Sequence, residues 1–195
     1  MSNRDRPTTR LLRYAGWGTA ASGALGAGYL GLVTGALTLH LGMGRRTRAL
    51  GPLTIDVAAP RETVFEVASA PYAERRPRAM RDKVDILERT DQMVLAAHRT
   101  PLGNGLTAVT VETVIFDPPH TMGFRLVRGP VPHVTETFAL AQGDGVTTLR
   151  YDGELGTDLW AIGEKWGAVV AVAWVETVRR ALADIRTESE RRAAR

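Results

Sequence analysis

The hydrophobic pattern divides the chain near residue 44. Residues 14–44 contain no Asp, Glu, Lys or Arg, and about 20 predominantly apolar residues are enough to cross a bilayer. We therefore predict a transmembrane helix over 14–44, with a basic tail over 1–13 before it and a short linker over 45–51 after it. A buried core helix and a cleaved signal peptide are the alternatives. Soluble helices rarely run this long without charge, and the segment is longer than a signal-peptide core.

Small residues recur at every fourth position of this segment, at Gly23, Ala27, Gly31 and Gly35. Such a ridge lets two helix backbones approach closely, so we predict a homo-oligomer formed through it, with chance spacing in a Gly/Ala-rich segment as the alternative. Arginines flank the segment on both sides, so the positive-inside rule gives almost no bias. We expect a single-pass membrane protein whose soluble domain lies in the cytoplasm.

The pattern after residue 52 is that of strands and short helices. Apolar and polar residues alternate over 53–58, and 61–68 has the three- and four-residue apolar spacing of a helix. A further short turn or helix follows within 71–77. Six strands then alternate with turn residues, over 84–88, 93–99, 106–116, 121–127, 134–141 and 146–155. The last two strands flank Gly143, Asp144 and Gly145, which suit a tight hairpin.

The C-terminal pattern is helical, from Asp158 as a candidate N-cap to about Arg192. Residues 166–175 carry no charge. This run is too short to span a bilayer and too apolar for a surface helix, so it must be covered or must face a ligand or lipid. The chain after the linker is therefore predicted to be one α+β domain over 52–192, with a tail over 193–195.

Composition narrows the picture in two ways. The chain has 195 residues, of which 44% are hydrophobic and 24% charged, as in a globular domain with one core. It has no Cys, so neither disulfides nor thiolate metal sites hold the fold. A net charge of +4 favours contact with anionic surfaces such as phospholipid or nucleic acid.

The order of one strand, two short helices, six strands and one long helix resembles the START-like or SRPBCC superfamily, which includes polyketide cyclases and lipid-transfer proteins. The resemblance is carried by residues 55–60 leading into Val64 and Phe65, by the corner over 116–119 and by the hairpin over 143–147. It implies a helix-grip fold, in which a curved antiparallel sheet and the C-terminal helix enclose an apolar cavity. Cavities of that family serve unrelated purposes, so the resemblance leaves the reaction open.

Alternation along the predicted strands selects the residues that would line the cavity, because successive side chains point to opposite faces. On the strands and the helix these are Val109, Val111, Ile115, Met122, Phe124, Leu126, Val134, Phe138, Leu140, Leu149, Trp166, Val170 and Trp174.

Glu136 shares the face of Val134 and Phe138 and is the most informative polar residue. A carboxylate among apolar side chains has a raised pKa, which suits a general acid or base. A bulge that exposes it, or an ion pair with Arg125, are the alternatives. If the protein is an enzyme, Glu136, Tyr151 and Arg125 are the candidate catalytic residues.

Metal and cofactor sites have no support in the sequence. The histidines lack a ligand spacing such as H-E-x-x-H, and no nucleophile elbow, phosphate loop or dinucleotide fingerprint occurs. We therefore expect no metal and no cofactor.

A basic cluster follows the second short helix, and we define it as Arg75, Arg76, Arg78, Arg81 and Lys83. In the family fold this region borders the cavity mouth, where each charge near an anionic membrane contributes about 1 kcal/mol. An ordinary solvated surface is the alternative. Nucleic acid is not an expected partner, because no recognition motif or aromatic platform accompanies the charge.

Three function classes follow from the sequence. We favour a membrane-anchored protein that binds or transfers an apolar small molecule, such as a lipid, a quinone or a polyketide-like compound. The second class is a polyketide cyclase-like or hydratase-like enzyme, in which cavity shape orders a flexible substrate. The third is a membrane scaffold whose cavity is collapsed and filled with side chains.

Overall fold

A computed structural model describes residues 26–103 and 105–195. Its elements in chain order are β1 (Arg46–Ala49), β2 (Leu53–Val57), α1 (Arg61–Ser69), a 3-10 helix (Ala70–Tyr72), α2 (Arg78–Arg81), β3 (Val84–Arg89), β4 (Met93–Gly103), β5 (Leu106–Asp117), β6 (Thr121–Arg128), β7 (His133–Gly143), β8 (Val146–Thr157) and α3 (Trp160–Ala193). From β2 onward the strands and the long helix follow the predicted order, whereas α2 lies beyond the predicted short turn or helix over 71–77 and was not predicted. The architecture is the helix-grip arrangement of an antiparallel sheet with a long C-terminal helix.

The eight strands form one antiparallel sheet in the order β1-β8-β7-β6-β5-β4-β3, and β2 also pairs with β8. The β7–β8 turn is the predicted tight hairpin, since Asp144 and Gly145 have φ values of 49° and 78°, as a two-residue type I′ turn requires. Its register pairs Phe138 with Tyr151 and Leu140 with Leu149, so their side chains lie together on the inner face.

The core lies between β8, β2, α1 and α3. Val57, Val64 and Leu149 are completely buried there, and each such side chain contributes about 1.5–3 kcal/mol of burial energy. Helix α3 contacts β1, β2, β8 and α1. Gly167 allows this close approach, because a Cβ at that position would lie 3.1 Å from the Thr157 side chain.

The linker predicted over 45–51 is wrong. Strand β1 occupies most of it and pairs with β8, so that Arg46 lies opposite Thr157 and Ala49 opposite Glu154. Leu50 then enters the core with 2% of its surface exposed. The domain therefore starts before residue 52.

The transmembrane helix predicted over 14–44 is wrong for its last eleven residues. Residues 26–33 are helical, but residues 34–44, which we call the N-terminal strap, are not. The Val109 amide donates to the Thr34 carbonyl at 2.9 Å. Gly35 has a φ of 71°, and a Cβ at this position would clash with the Val109 carbonyl oxygen. Gly35 therefore belongs to a turn and not to the helical ridge. Residues 14–25, including Gly23, lie outside the described part of the chain.

The strap is held to the start of α3 by Asp158. This carboxylate accepts hydrogen bonds from the Leu41 and Gly42 amides, at 2.8 Å each, and from Arg45. It does not cap α3 as predicted, since Leu159 is the N-cap residue. Within residues 26–103 and 105–195, no helix is both long and apolar enough to cross a membrane.

Candidate functional site

The face of β7 that points into the domain is the face predicted from the sequence. Val134, Glu136, Phe138 and Leu140 are all buried, and Thr137 between them is exposed. Glu136 has 8% of its surface exposed. Strand alternation alone therefore located a carboxylate inside the domain.

Two neutral donors hold the Glu136 carboxylate. The Tyr151 hydroxyl, from β8, donates to Oε1 at 2.6 Å, and the Trp174 indole, from α3, donates to the same oxygen at 2.7 Å. In the described residues no side-chain hydrogen bond reaches the second oxygen, Oε2. The arrangement fixes one oxygen and leaves the other for a further partner.

Burial raises the pKa of Glu136 from 4.5 to about 7, and the negative charge of Glu112 adds to this effect. The hydrogen bonds from Tyr151 and Trp174, and the charge of His98, act in the opposite direction and are weaker. The pKa of Tyr151 is raised far above its usual range, by burial and by the charge of Glu136. At neutral pH, Glu136 can thus accept or release a proton while Tyr151 keeps its own.

A second polar cluster lies on the same face. Glu112 of β5 has its Oε2 3.0 Å from His98 Nδ1, and the Nε2 of that imidazole is 3.0 Å from the Tyr72 hydroxyl. Glu112 and Tyr72 are buried, and His98 is largely buried. This cluster was not predicted from the sequence, because the pattern of β5 favoured the opposite face of the strand as the interior one.

The β5 assignment is corrected by pairing with β6. Val114 lies opposite Phe124, and Phe116 lies opposite Met122, so residues 112, 114 and 116 share the inner face with the β6 residues. Ile115 is 55% exposed. Val109 and Val111 lie on the same outer side of β5 as Ile115, although Val111 is buried there.

Arg125 is not a site residue. It is exposed on β6 and pairs with Thr113 and Thr135, on the face opposite to Phe124 and Glu136. The alternative considered for Glu136, an ion pair with Arg125, is therefore not formed. A shallow depression of about 250 Å³ lies on this outer face, beside Thr135, Thr137 and Glu154.

Aromatic rings line the inner face from one polar cluster to the other. Ring centroids are 6.1 Å apart for Tyr72 and Phe124, 5.4 Å for Phe124 and Phe138, and 5.1 Å for Phe138 and Tyr151. Several predicted lining residues remain only partly buried although they face inward: Phe124, Leu126, Trp166 and Trp174. Others are packed into the core: Met122, Val134, Leu140, Leu149 and Val170.

The basic cluster is divided by the structure. Arg76 is half-buried and donates to the Pro71 and Val84 carbonyls at 2.9 and 3.0 Å, so it stabilises the fold locally. Its other four members are exposed. Among the described residues no group of three or more His, Asp or Glu is arranged to hold a metal ion.

Comparison with known proteins identifies the fold. The sequence matches no protein-family model, and no curated protein is significantly similar to it. Among solved structures, the Zhui aromatase/cyclase from Streptomyces sp. R1128 aligns with a TM-score of 0.59 and 20% identity, over 75% of this chain and 96% of that one. Norcoclaurine synthase from Thalictrum flavum, in complex with dopamine and hydroxybenzaldehyde, aligns with a TM-score of 0.53 and 15% identity, over 74% and 87%.

The di-domain ARO/CYC BexL from the BE-7585A biosynthetic pathway aligns with a TM-score of 0.56 and 20% identity. The alignment covers 75% of this chain and 50% of BexL, so the chain spans about half the length of that protein. The structural neighbours are thus polyketide aromatase/cyclases and norcoclaurine synthase, and they share the helix-grip fold with this chain.

Proposed function

We propose that this domain is an enzyme of the cyclase or dehydratase kind, which acts on an aromatic or polyketide-like carbonyl compound bound between the sheet and α3. The observation that carries the proposal is the Glu136 carboxylate, buried among aromatic rings with one oxygen held by Tyr151 and Trp174. The structural neighbours favour this class over the transfer protein that we preferred from the sequence.

The chemistry needs one group that exchanges a proton near neutral pH. Glu136, with its pKa at about 7, removes a proton from the carbon next to a carbonyl group. The resulting enolate carbon forms a bond to a second carbonyl carbon of the same molecule. The new alkoxide oxygen then takes the proton back from Glu136, which restores the enzyme and leaves a ring.

The row of rings between Tyr72 and Tyr151 supplies the matching surface. Flat aromatic compounds pack favourably against such rings, with offset or edge-to-face geometry at centroid distances of about 4.5–7 Å. Norcoclaurine synthase, which shares the fold, was crystallised with two small aromatic compounds. We therefore expect aromatic carbonyl compounds to bind better than saturated compounds of equal size.

Elimination of nitrobenzisoxazole tests the base directly, because the reaction needs only removal of one C–H proton and releases a stable phenolate. We expect the full-length protein to catalyse it at a rate that rises with pH through about 7, and Glu136→Gln to lower the rate about 100-fold or more. Glu154→Gln, which changes an exposed carboxylate on the outer face, is the matched control. Equal rates for wild type and Glu136→Gln would overturn the proposal.

A second candidate function is capture of an apolar molecule at a membrane surface, and the distribution of exposed residues at one end of the sheet favours it. In the sheet, Val84 lies opposite His98, Val111 opposite Arg128, and Arg46 opposite Thr157. The start of β3 and the C-terminal end of β8, next to the strap, are therefore at this same end. The exposed side chains there are the apolar Leu37, Leu39, Leu41, Met43 and Trp160 and the basic Arg75, Arg78, Arg81 and Lys83.

An anionic phospholipid bilayer is the partner that combines both chemistries, since apolar side chains enter the interface and cations meet the headgroups. We expect the protein to float with phosphatidylserine vesicles. The double substitution of Leu37→Asp and Leu39→Asp should abolish flotation. Ile115→Asp with Leu87→Asp, at exposed apolar positions away from this end, is the control. Flotation that is indifferent to the strap substitutions contradicts this second candidate.

A further inference from the structure

The first half of α3 has an apolar face that points to solvent. Ile162, Val169 and Val172 are 76%, 63% and 73% exposed, whereas Val170, on the opposite side of the helix, is buried in the core. Single apolar residues on a surface are ordinary, but several on one helix face mark an interaction site. The domain therefore covers only one side of the charge-free run over 166–175.

The exposed face has the spacing of a coiled-coil seam. Its members follow one another at alternating intervals of three and four residues, all of them are exposed, and we call them the α3 seam: Ile162, Lys165, Val169, Val172, Glu176 and Arg179. These intervals are those of the a and d positions, through which one helix packs along another. The middle of the α3 seam is apolar, and charged residues lie on both sides of it.

The charges of the α3 seam are self-complementary for an antiparallel pair of helices. Lys165 lies four residues before Val169, and Glu176 lies four residues after Val172. When two copies of α3 are placed antiparallel about a twofold axis between the two valines, Val169 faces Val172 of the partner subunit. Lys165 then faces Glu176 of the partner subunit, and the axis repeats this pair. A parallel pair would instead bring identical charges together.

We propose that the α3 seam is a dimer interface, on which the α3 helix of a second copy of this chain packs antiparallel. A twofold interface uses the same patch on both subunits, and the symmetric order of charges and valines in the α3 seam fits this requirement. The inference goes beyond the proposed function and does not depend on it. The interface also differs from the Gly/Ala ridge predicted from the sequence.

The charges favour a second copy over a lipid surface. Glu176 lies within the α3 seam with 49% of its side chain exposed. Anionic headgroups repel such a carboxylate, whereas a lysine of a second copy attracts it. Glu176 Oε1 accepts a hydrogen bond from Arg180 of the same helix at 3.1 Å, and a carboxylate has acceptor sites for a further donor.

Sedimentation equilibrium of the full-length protein measures the association. The α3 seam is about 25 Å long from Ile162 to Arg179, so the interface is small and the dimer should dissociate on dilution. We expect dimers to form as the concentration rises from about 1 to 300 µM, the range in which a small interface associates. Val169→Asp puts a charge at the centre of the α3 seam and should leave the protein monomeric.

Charge reversal tests the antiparallel register. Lys165→Glu and Glu176→Lys each bring like charges together twice, so each should raise the dissociation constant about 10-fold or more. The double variant exchanges the two charges and should dimerise as the wild type does. Mixing the two single variants should yield a heterodimer, because every contact then joins a glutamate and a lysine.

The matched controls are Arg125→Glu, a charge reversal at an exposed position of β6, and Leu87→Asp on β3, where the leucine is 53% exposed. Both should leave the dissociation constant unchanged. A wild type that stays monomeric throughout overturns the inference, as does a dimer that is indifferent to Val169→Asp. Failure of the double variant to dimerise excludes the antiparallel register and overturns it too. Loss of vesicle flotation in a Val169→Asp variant of unchanged mass would make lipid the occupant instead.

Discussion

Glu136 and Asp158 are both buried carboxylates, with 8% and 5% of their surfaces exposed, yet their pKa values lie on opposite sides of the ordinary range. The pKa of Glu136 is raised to about 7. The pKa of Asp158 is lowered to about 2, first by the hydrogen bond from Arg45 and then by the Leu41 and Gly42 amides. Burial disfavours the charge in both places, so the difference comes from the partners.

The partners also separate the two roles. Asp158 accepts hydrogen bonds from the Arg45 guanidinium and from the Leu41 and Gly42 amides. These donors stabilise the charged carboxylate and join the strap to the start of α3. Glu136 meets one hydroxyl and one indole, which are neutral, and it lies near a second carboxylate. A structural carboxylate and a candidate catalytic one are thus distinguished by the charge around them and not by their depth.

The largest expected effect is on the pH dependence of stability. Because the pKa of Glu136 is higher in the folded protein than its ordinary 4.5, its raised pKa stabilises the folded state fully below pH 4.5. This contribution to the free energy of unfolding, about 3 kcal/mol, is lost as the pH rises through about 7. We expect Glu136→Gln to remove this loss. Urea unfolding of both proteins at several pH values measures it, and parallel stability curves would contradict the raised pKa.

The next effect is the loss of the strap junction. Asp158→Asn removes the partner of Arg45, whose side chain is 32% exposed, so solvent screening keeps the expected cost to about 2 kcal/mol. At pH 8, Glu136→Gln should cost nothing or stabilise the protein. The control is Asp152→Asn, which breaks the surface pair with Arg150 and should change stability little. A Glu136→Gln variant less stable than Asp158→Asn would reverse the comparison.

The sequence predicted the Glu136 region well, because local patterns determine it. On β7 the large apolar residues occupy only one face, so alternation was sufficient to place Glu136 inside. On β5 both faces carry apolar residues, Val111 and Ile115 on one and Val114 and Phe116 on the other. Only pairing with β6 decides between them, and this long-range contact left Glu112 undetected. The tight turn between Phe116 and Met122 could have revealed Glu112, because it places Phe116 opposite Met122 and so identifies the inner face of β5.

The Asp158 region was predicted poorly for the same reason. A charge-free segment of this length is typical of a membrane helix, and nothing local shows that Leu41 and Gly42 donate to a residue more than a hundred positions later. Glycines at 35, 42 and 44, all with positive φ, are the feature that argues against a continuous helix there.

The pKa of Glu136 should respond to its neighbours in opposite directions. Glu112→Gln removes a negative charge that raises this pKa, so the pKa should fall. Trp174→Phe removes a hydrogen bond that lowers it, so the pKa should rise. Carbon NMR of the labelled carboxyl group, or the pH profile of nitrobenzisoxazole elimination, measures both shifts. Shifts of the same sign would show that packing, and not charge, controls the site.

The smallest expected effect isolates backbone strain at the strap junction. Gly42 has a φ of 68°, and nothing lies within 4 Å of the position that a Cβ would occupy. Gly42→Ala therefore creates no clash, and its cost of about 1 kcal/mol comes from forcing a left-handed conformation on alanine. Gly28→Ala is the control, because Gly28 is helical and its Cβ position is equally open, so alanine should stabilise it slightly. Equal stabilities for the two variants would mean that the strap relaxes when Gly42 is replaced, and that Asp158 can bind it in more than one conformation.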